Sequence, residues 1–382
     1  MDRLFTLLAF AAAGVVATAA CLPGAQGSAR SAAKRTPEAS AAPSPTVTPT
    51  PSPVPLTLGG LFHPTASPGQ DPSHLRTLTA TGDVIPARLL NAAATDRHDF
   101  AFPFRPTADY VRGADLTYIN LESPLLPGCA VIRTGTTFCG DVRWVEGLKL
   151  IGTRVANVAN NHVYNGPQTD RTRALLEQNG IQVTTDIGPP VVLDVRGLKF
   201  AFVGSRAVGE KVDREALKAD IQKARQLADV VVVQFHWGKE YVRLPAPDNP
   251  NTPDEPVELG HLAVDAGADL VIGNHPHWVQ GVEVYRDRLI TYAHGNYAFD
   301  QVNCYPGIGS DYRTYCSDDT RTSVIGTYTF YDRTLVGVTW KPTFTDTSLQ
   351  TQWADPGRSQ QVLQTMESAS RELAQKLGEP AA

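Results

Sequence analysis

The chain has 382 residues, of which 42% are apolar, and its 34 basic and 39 acidic side chains give a formal net charge of −5. That length and apolar content are sufficient for a large hydrophobic core. The near balance of charges argues against a nucleic-acid-binding protein, which usually carries a basic excess or a basic stripe.

The N-terminal segment is typical of an export signal. Residues 4–16 form an apolar run that matches the hydrophobic region of a signal peptide and is too short for a membrane span. The small residues 17–20 lead directly into Cys21, a pattern similar to a bacterial lipobox. We therefore predict that residues 1–21 direct export and that Cys21 carries a lipid anchor on the cell membrane. Cleavage near Ala20 without a lipid is the alternative.

The next segment, residues 22–74, is predicted to be a disordered tether. Its first part is rich in Ala, Ser, Thr and Pro, and a proline recurs at nearly every second position between residues 43 and 55. Such a composition buries too little apolar surface to fold. In the polyproline conformation, at about 3.1 Å per residue, the first part of the tether, residues 22–55, would extend on the order of 100 Å from a membrane or cell wall.

A folded domain is predicted at residues 75–344, followed by a C-terminal extension at 345–382. Helix-like segments alternate with strand-like runs, which predicts an α/β fold with substantial parallel pairing. The extension has apolar residues at helical spacing and is predicted to form an amphipathic helix. The predicted helices of the domain are 169–179, 213–227 and 255–266, and the predicted antiparallel stretches are 191–203 and 322–344.

Five apolar, strand-like runs end abruptly in polar residues suited to metal binding. In open α/β sheets, ligands bind beyond the carboxyl ends of the strands, so these ends predict one convergent site. Carboxylate, amide and imidazole atoms without thiolates suit Zn, Mn or Fe. The residues at the ends are Gly82-Asp83, Asn120-Leu121-Glu122, Asn160-Asn161-His162, His236-Trp237-Gly238 and Asn274-His275-Pro276-His277.

Some of these residues also have simpler interpretations. Asp83 follows a glycine and could form a turn, while Asn120 and Glu122 could cap a loop. The 160–162 segment could likewise hydrogen-bond its own loop. Histidines after strands, such as His236, are harder to explain in this way, because burying an unpaired imidazole is costly.

The chain has five cysteines, an odd number that would leave one unpaired in an oxidising compartment. If Cys21 carries lipid, the other four form two close pairs, which we predict to be disulfides in an exported protein. A zinc site with four cysteines is the rival interpretation, but the spacings lack the short Cys-x₂₋₄-Cys knuckle. The predicted pairs are Cys129 with Cys139 and Cys304 with Cys316.

Taken together, these motifs closely resemble the CapA family of bacterial capsule or poly-γ-glutamate biosynthesis proteins. The similarity covers residues 78–301 and includes the stretch Ile290 to Gln301. That family resembles the calcineurin-like metallophosphoesterases. The resemblance implies an α/β four-layer sandwich, in which two mixed β-sheets flanked by helices surround a dinuclear metal site.

The resemblance also implies roles for individual residues. His162 would be the catalytic acid or phosphate-contacting histidine. Arg88 and Arg243 would bind an anionic substrate through their guanidinium groups, and Asn120, Asn160, Glu240 and Asn296 are also assigned to substrate binding. The metal ligands would be Asp83, Glu122, Asn161, His236, His275 and His277.

The chain departs from the two family patterns at four positions. Ile85 replaces a phosphoesterase histidine, so we expect one or two divalent ions, Mn, Fe or Zn, rather than a firm pair. Asn165 and Asn274 replace an aspartate and a histidine of the capsule family. His294 stands where that family has an apolar residue, and we hypothesise that it supplies a substitute contact.

Two functions follow from the resemblance. The first is an exported, metal-dependent hydrolase, phosphoesterase-like or a γ-glutamyl amide hydrolase, which uses a metal-activated water. The alternative is a non-catalytic accessory protein that binds the polymer during capsule synthesis or export. The expected partners are an anionic extracellular polymer such as poly-γ-glutamate or capsule polysaccharide, the membrane, and membrane-bound capsule synthase components. No nucleic acid is expected.

Overall fold

The computed structural model describes residues 56–64, 70–133, 135, 137–163, 166–186, 188–249, 254–302 and 317–379. These residues belong to one compact unit. The predicted signal peptide, Cys21, most of the tether and the Cys304–Cys316 pair lie outside the described residues, as does Asn165.

The described strands form two large mixed sheets and a small two-stranded one. In chain order the strands are β1 Leu75–Val84, β2 Leu116–Leu121, β3 Leu125–Leu126, β4 Gly140–Asp141, β5 Val155–Asn157, β6 Gln182–Thr184, β7 Val191–Val195, β8 Leu198–Ala207, β9 Val230–Trp237, β10 Leu270–Asn274, β11 Val282–Tyr285, β12 Arg288–Thr291, β13 Asn296–Ala298, β14 Thr322–Tyr331, β15 Thr334–Thr345 and β16 Thr351–Trp353.

The first sheet has the order β16-β15-β14-β1-β2-β5-β6, with β13 also paired to β1. Its β1, β2, β5 and β6 are parallel, whereas β14, β15 and β16 are antiparallel. The second sheet has the order β11-β12-β10-β9-β8-β7, parallel in the middle and antiparallel at both edges. Every residue of β9 is buried, as expected for a central parallel strand covered on both faces.

The described helices are α1 Leu58–Phe62, α2 Arg88–Arg97, α3 Ala108–Val111, α4 Trp144–Leu150, α5 Pro167–Gln178, α6 Arg214–Leu227, α7 Pro256–Ala266 and α8 Pro356–Leu377, with a short 3₁₀ helix at Pro72–His74. Helices α2 to α5 pack on the outer face of the first sheet, α6 and α7 on the outer face of the second, and α1 and α8 contribute to the core between the sheets. Asp213 begins α6 by accepting a hydrogen bond from Ala216 N at 3.0 Å. Leu217, Ile221 and Ala224 recur along one face of α6 and are buried against the second sheet.

Three hydrophobic cores define the layers of the fold. One core lies between the two sheets, where Tyr118 stacks on Phe202 with ring centroids 5.6 Å apart. A second joins the first sheet to α2, α4 and α5, and a third joins the second sheet to α6 and α7. The protein is therefore an α/β four-layer sandwich, in which two mixed β-sheets are flanked by helices, and the predicted fold class is confirmed.

The segment predicted as tether includes residues that pack on the domain. Helix α1 buries Leu58 and Leu61 in the core between the sheets, which Met366 of α8 also enters. Trp340 Nε1 donates to Leu61 O at 3.1 Å. The sequence prediction differs here because the short apolar run at 56–62 is bordered by proline-rich sequence and gives no clear periodic signal. In the fold, α8 and β15 supply its apolar partners. Among the described helices, we find none with the length and hydropathy required to cross a membrane.

Candidate metal centre

The polar strand ends of both sheets meet at one edge of the sandwich. In the first sheet, Asp83, Asn120 and Asn157 lie in register on neighbouring parallel strands. In the second sheet, Asn274 lies in register with His236. Asn274 Nδ2 donates to Asp83 Oδ1 at 2.8 Å and so joins the two sheets. The parallel register thus places side chains that are distant in sequence around one point.

Glu240, His275 and His277 form what we call the outer group. One ligand atom from each residue lies within 4.8 Å of the others. Glu240 Oε1 is 3.9 Å from His275 Nε2 and 3.9 Å from His277 Nε2. Both imidazoles are buried, whereas 38% of the Glu240 side chain is exposed, so the group is open to solvent. Three protein ligands with one open side are the arrangement of a catalytic metal site.

A pair of oxygens orients the ring of His277. Its Nδ1 lies 2.8 Å from Asn296 Oδ1 and 3.3 Å from Asp83 Oδ2. This hydrogen-bond network assigns the proton to Nδ1, which leaves the Nε2 lone pair directed at the outer group. Buried partners of this kind fix the tautomer of metal-binding histidines. Asn296, predicted as a substrate contact, is buried and lies behind the histidine.

Asp83, Glu122 and His236 form what we call the inner group, and all three are fully buried. Asn120 Nδ2 lies between them, 2.8 Å from Asp83 Oδ1 and 2.9 Å from Glu122 Oε1. The same nitrogen is 3.3 Å from His236 Nδ1. The other ring nitrogen of His236, Nε2, is 2.8 Å from Asn161 Oδ1. Asn120 therefore holds the inner group together and does not face the surface.

Burial controls the charge of the histidines. It lowers the pKa of His275 to about 3, with a further contribution from the charge of His277. Burial, reinforced by the charge of His275, holds the pKa of His236 well below its usual value. For His277, burial acts to lower the pKa, but Asp83 and Glu240 outweigh it and the pKa is raised. His275 and His236 are thus neutral imidazoles with a lone pair that can bind a metal.

The two buried carboxyl groups are shifted in opposite directions. Burial, followed by the charge of Asp83, raises the pKa of Glu122 well above its ordinary value. Burial also acts to raise the pKa of Asp83, but the contact with His277 outweighs it and the pKa is lowered. One of the two carboxyl groups is therefore charged and the other is neutral, as expected for acids that share a buried site.

Several residues around the outer group have a backbone conformation that side chains rarely adopt. The φ angles are 100° at His275, 59° at His277, 58° at Tyr241 and 47° at Arg88. Such conformations cost on the order of 1–3 kcal/mol each and cluster at functional sites. The turn after β10 therefore adopts a costly backbone conformation that directs both imidazoles at one point.

His162 lies in an aromatic wall beside the metal centre. Its ring stacks on Phe138 with centroids 4.0 Å apart, and burial lowers its pKa to about 4. Arg88 lies over Phe138 at 4.7 Å and over Phe299 at 5.1 Å. The guanidinium of Arg88 is also ion-paired with the buried carboxylate of Asp300. Both predicted residues, His162 and Arg88, are thus fixed at the rim by side chains of other loops.

A disulfide bond closes the loop that carries this wall. Cys129 and Cys139 are bonded, with their Cα atoms 5.6 Å apart, as the spacing predicts. Phe138, which stacks on His162, directly precedes Cys139. The disulfide therefore lies at the rim of the site.

Three other residues with predicted roles lie outside the two metal-binding groups. Asn160 is buried and clamps its own loop, since its Nδ2 donates to Leu121 O at 2.8 Å. Arg243 is ion-paired with Asp319 beside α8. His294 Nε2 lies 2.8 Å from Tyr328 OH, so its partner is a tyrosine and not the metal-binding groups.

Sequence reasoning missed the residues that support the predicted ligands. Asn157 donates to Asn120 Oδ1 at 3.2 Å and was not predicted, and Asn274 was predicted at a strand end but not as a donor to Asp83. Asp300 and Phe138 position Arg88 and His162, and Glu240 was assigned to substrate although it faces two histidines. The asparagine that ends β5, in register with Asn120, was the available signal for Asn157.

The residues present fit a divalent metal ion. Two buried atoms at the centre, Glu122 Oε2 and His275 Nδ1, have no hydrogen-bond partner within the part of the chain that the structure describes. Leaving buried polar atoms unpaired is costly. The donor set of neutral imidazoles and carboxylates is the one that Zn, Mn and Fe prefer.

A match to a family of known proteins defines the class to which this α/β sandwich belongs. Residues 77–301, more than half of the chain, match the family described as "Bacterial capsule synthesis protein PGA_cap". The chain belongs to this family, and the predicted resemblance is confirmed.

Two relatives and two solved structures illustrate the similarity. The chain is 28% identical over 254 residues to "Capsule biosynthesis protein CapA" of Bacillus anthracis, covering 59% of this chain and 60% of the relative. It is 38% identical over 123 residues to "PGA biosynthesis protein CapA" of Bacillus subtilis strain 168, covering 32% of this chain and 30% of the relative. The chain thus spans less than two thirds of both relatives.

The solved structures are both from Thermus thermophilus. A hypothetical protein has 18% identity and a TM-score of 0.44, covering 70% of this chain and 98% of that protein. A second protein, TT1561, has 14% identity and a TM-score of 0.37, covering 68% of this chain and 100% of that protein.

Proposed function

We propose that this protein is a metal-dependent hydrolase that acts on an anionic polymer of the capsule or poly-γ-glutamate type. The observation that carries the proposal is the outer group, where two buried imidazoles and a half-exposed carboxylate converge beside His162. Membership of the capsule synthesis family supports the polymer class. A structural role alone would not explain buried ligand atoms without partners.

Glu240, His275 and His277 would hold the ion, since their free atoms face one another at the open side. A bound divalent ion would supply Lewis acidity and lower the pKa of a water molecule. His162 would contact the reacting group from the aromatic wall, where Phe138 restricts its ring. Arg88 would contribute positive charge beside it, held in place by Asp300.

We propose an extracytoplasmic location, with a lipid on Cys21 and residues of the tether between membrane and domain. The signal-like N-terminus and the Cys129–Cys139 disulfide support this location, because disulfides persist in oxidising compartments. Membrane-bound capsule synthase components and the nascent polymer are the proposed partners.

The test is a turnover assay on poly-γ-glutamate and on a phosphodiester, with the protein loaded with Zn, Mn or Fe. We expect release of amine ends from the polymer, or of an alcohol and a phosphomonoester from the phosphodiester, and a loss of about 10²-fold or more in the rate for His162→Ala. His63→Ala is the matched control, since 71% of that side chain is exposed and its partner is Glu367 on α8.

Metal binding without turnover of either substrate would contradict the hydrolase. The non-catalytic accessory function would then remain. A binding assay between the metal-loaded protein and the polymer would test it.

A further inference from the structure

We propose that this chain binds a single divalent ion, held by the outer group, and that the Asn120 amide closes the inner group to metal. The inference rests on the proposed function, because it concerns the same centre. It goes further by assigning the ion to Glu240, His275 and His277 and by giving Asp83 a supporting role.

The orientation of the Asn120 amide is fixed by a backbone carbonyl. Asn157 Nδ2 donates to Ala159 O at 3.3 Å, and a carbonyl oxygen can only accept. The same nitrogen donates to Asn120 Oδ1 at 3.2 Å, so the NH₂ of Asn120 must point the other way, into the inner group. Thr184 Oγ1 donates to Asn157 Oδ1 at 2.9 Å and completes this series of hydrogen bonds.

A second locked amide occupies the same oxygen of Asp83. Gln234 Nε2 donates to Phe235 O at 3.2 Å and to Asn274 Oδ1 at 3.2 Å, which turns the NH₂ of Asn274 toward Asp83. Asp83 Oδ1 therefore accepts from Asn274 and from Asn120, each at 2.8 Å. Its other oxygen, Oδ2, faces His277 Nδ1. Both oxygens of Asp83 are thus engaged by protein donors.

Both ring nitrogens of His236 likewise have hydrogen-bond partners in the protein. Its Nδ1 faces the NH₂ of Asn120 and its Nε2 faces Asn161 Oδ1, an acceptor, so the network assigns the proton to Nε2. Among the ligand atoms of the inner group, all of them in the described part of the chain, only Glu122 Oε2 lacks a partner. A metal ion there would need ligands at about 2.0–2.2 Å, in the space where the amide nitrogen now lies.

The outer group has the opposite character. The 3.9 Å separations from Glu240 Oε1 to the Nε2 atoms of His275 and His277 are too long for hydrogen bonds. Its ligand atoms are therefore available to a cation, and His277 is already oriented by Asn296 and Asp83. Asp83 thus acts as a positioning residue that supports one ligand from behind.

The experiment counts metal equivalents on the full chain by mass spectrometry after loading with Zn and, separately, with Mn. We expect one equivalent in the wild type and in His236→Ala, and a loss of at least about 10-fold in bound metal in His275→Ala. His261→Ala is the control, because His261 belongs to a separate group with Glu283 and Glu379. Circular dichroism on each variant verifies the fold.

The second variant is Asn120→Asp, which replaces the amide donor with an acceptor. We expect it to bind a second equivalent and to gain thermal stability on metal addition. A folded Asn120→Asp protein that still binds one ion would overturn the role assigned to the amide.

The outcomes separate this inference from the proposed function. Two equivalents in the wild type, or loss of the ion in His236→Ala or His261→Ala, would overturn the single outer site and leave the metal-dependent hydrolase to be assayed separately. No metal at all would overturn both. One equivalent of metal in the wild type and in His236→Ala, with loss in His275→Ala but no turnover of substrate, would support the single outer site and contradict the hydrolase.

Discussion

Phe138 and His162 stack with their ring centroids 4.0 Å apart, although a disulfide loop carries the first residue and a strand end the second. The pairing links the Cys129–Cys139 bond to the proposed catalytic histidine through one aromatic ring. Arg88 also lies over Phe138, so the loop positions two of the side chains that line the centre.

Removing this disulfide should reduce stability. The bond closes a loop with a sequence separation of 10 residues, for which chain entropy predicts a loss of about 3 kcal/mol in the free energy of unfolding. The Cys129→Ser/Cys139→Ser double variant should show this loss in urea unfolding. Phe138→Leu is the companion variant, which keeps the disulfide but removes the aromatic contact with His162. A double variant as stable as the wild type would contradict the prediction.

Gly82 should not tolerate a side chain. A Cβ at this position would lie 2.1 Å from Gly295 O and 2.6 Å from Ser323 Oγ. Gly82→Ala must therefore move the backbone of Asp83, whose N donates to Gly295 O at 2.9 Å. We expect a loss of about 3 kcal/mol in unfolding free energy.

The matched control for this variant is Gly337→Ala in β15, where a Cβ would meet no atom within 4 Å. It should be neutral or stabilise by about 0.4–1 kcal/mol through the unfolded chain. Urea unfolding of both variants gives the comparison, and equal effects at the two glycines would show that close backbone approach is not the cause.

The sequence was sufficient to predict which strands carry candidate site residues at their carboxyl ends, because polar clusters after apolar runs mark that edge of a parallel sheet. It also predicted the helices near α5, α6 and α7, whose stop signals and apolar spacing are local properties. The orientation of a side-chain amide, in contrast, can depend on partners that are distant in sequence, and it is then not a local property. The role of Asn120 could not be predicted, because its orientation depends on Asn157, which lies on another strand. The orientation of Asn157 depends in turn on the carbonyl of Ala159, two residues further along the chain.

The outer group was only partly predictable for a related reason. The spacing of His275 and His277 predicted a shared target, but Glu240 reaches them from the loop after β9. The left-handed conformations at both histidines could not be read from the sequence, since residues with side chains rarely adopt them. Such conformations persist only where the surrounding tertiary contacts impose them.

The Arg88–Asp300 ion pair should contribute far more to stability than an exposed pair does. The Asp300 carboxylate is buried, and it also accepts from Leu89 N at 3.0 Å. Asp300→Ala would leave the guanidinium without its charged partner, and we expect a loss of about 3 kcal/mol or more.

Asp96→Ala is the matched control for this variant. Asp96 pairs with Arg133 while 56% of each side chain is exposed, so its loss should cost at most about 1 kcal/mol. Thermal or urea unfolding of both variants measures the contrast, and similar losses would contradict the prediction.

His294 should make stability depend on pH. Burial lowers its pKa from 6.5 to about 4, and its Nε2 lies 2.8 Å from Tyr328 OH. As the pH falls below 6.5, the unfolded chain protonates this histidine while the folded chain does not. The unfolded state then binds more protons, so the stabilising contribution is complete above pH 6.5 and is lost progressively toward pH 4.

His294→Gln tests this prediction, since a glutamine can still hydrogen-bond Tyr328 but does not titrate. At about pH 7.5, above the ordinary histidine pKa, we expect the variant to be less stable than the wild type. On acidification toward pH 4 the difference should change by roughly 3 kcal/mol in favour of the variant, the equivalent of the pKa shift. Urea unfolding at intervals of pH measures both curves, with the exposed His98→Gln as control. Curves for the wild type and His294→Gln that stay parallel over this range would show that the buried imidazole does not resist protonation.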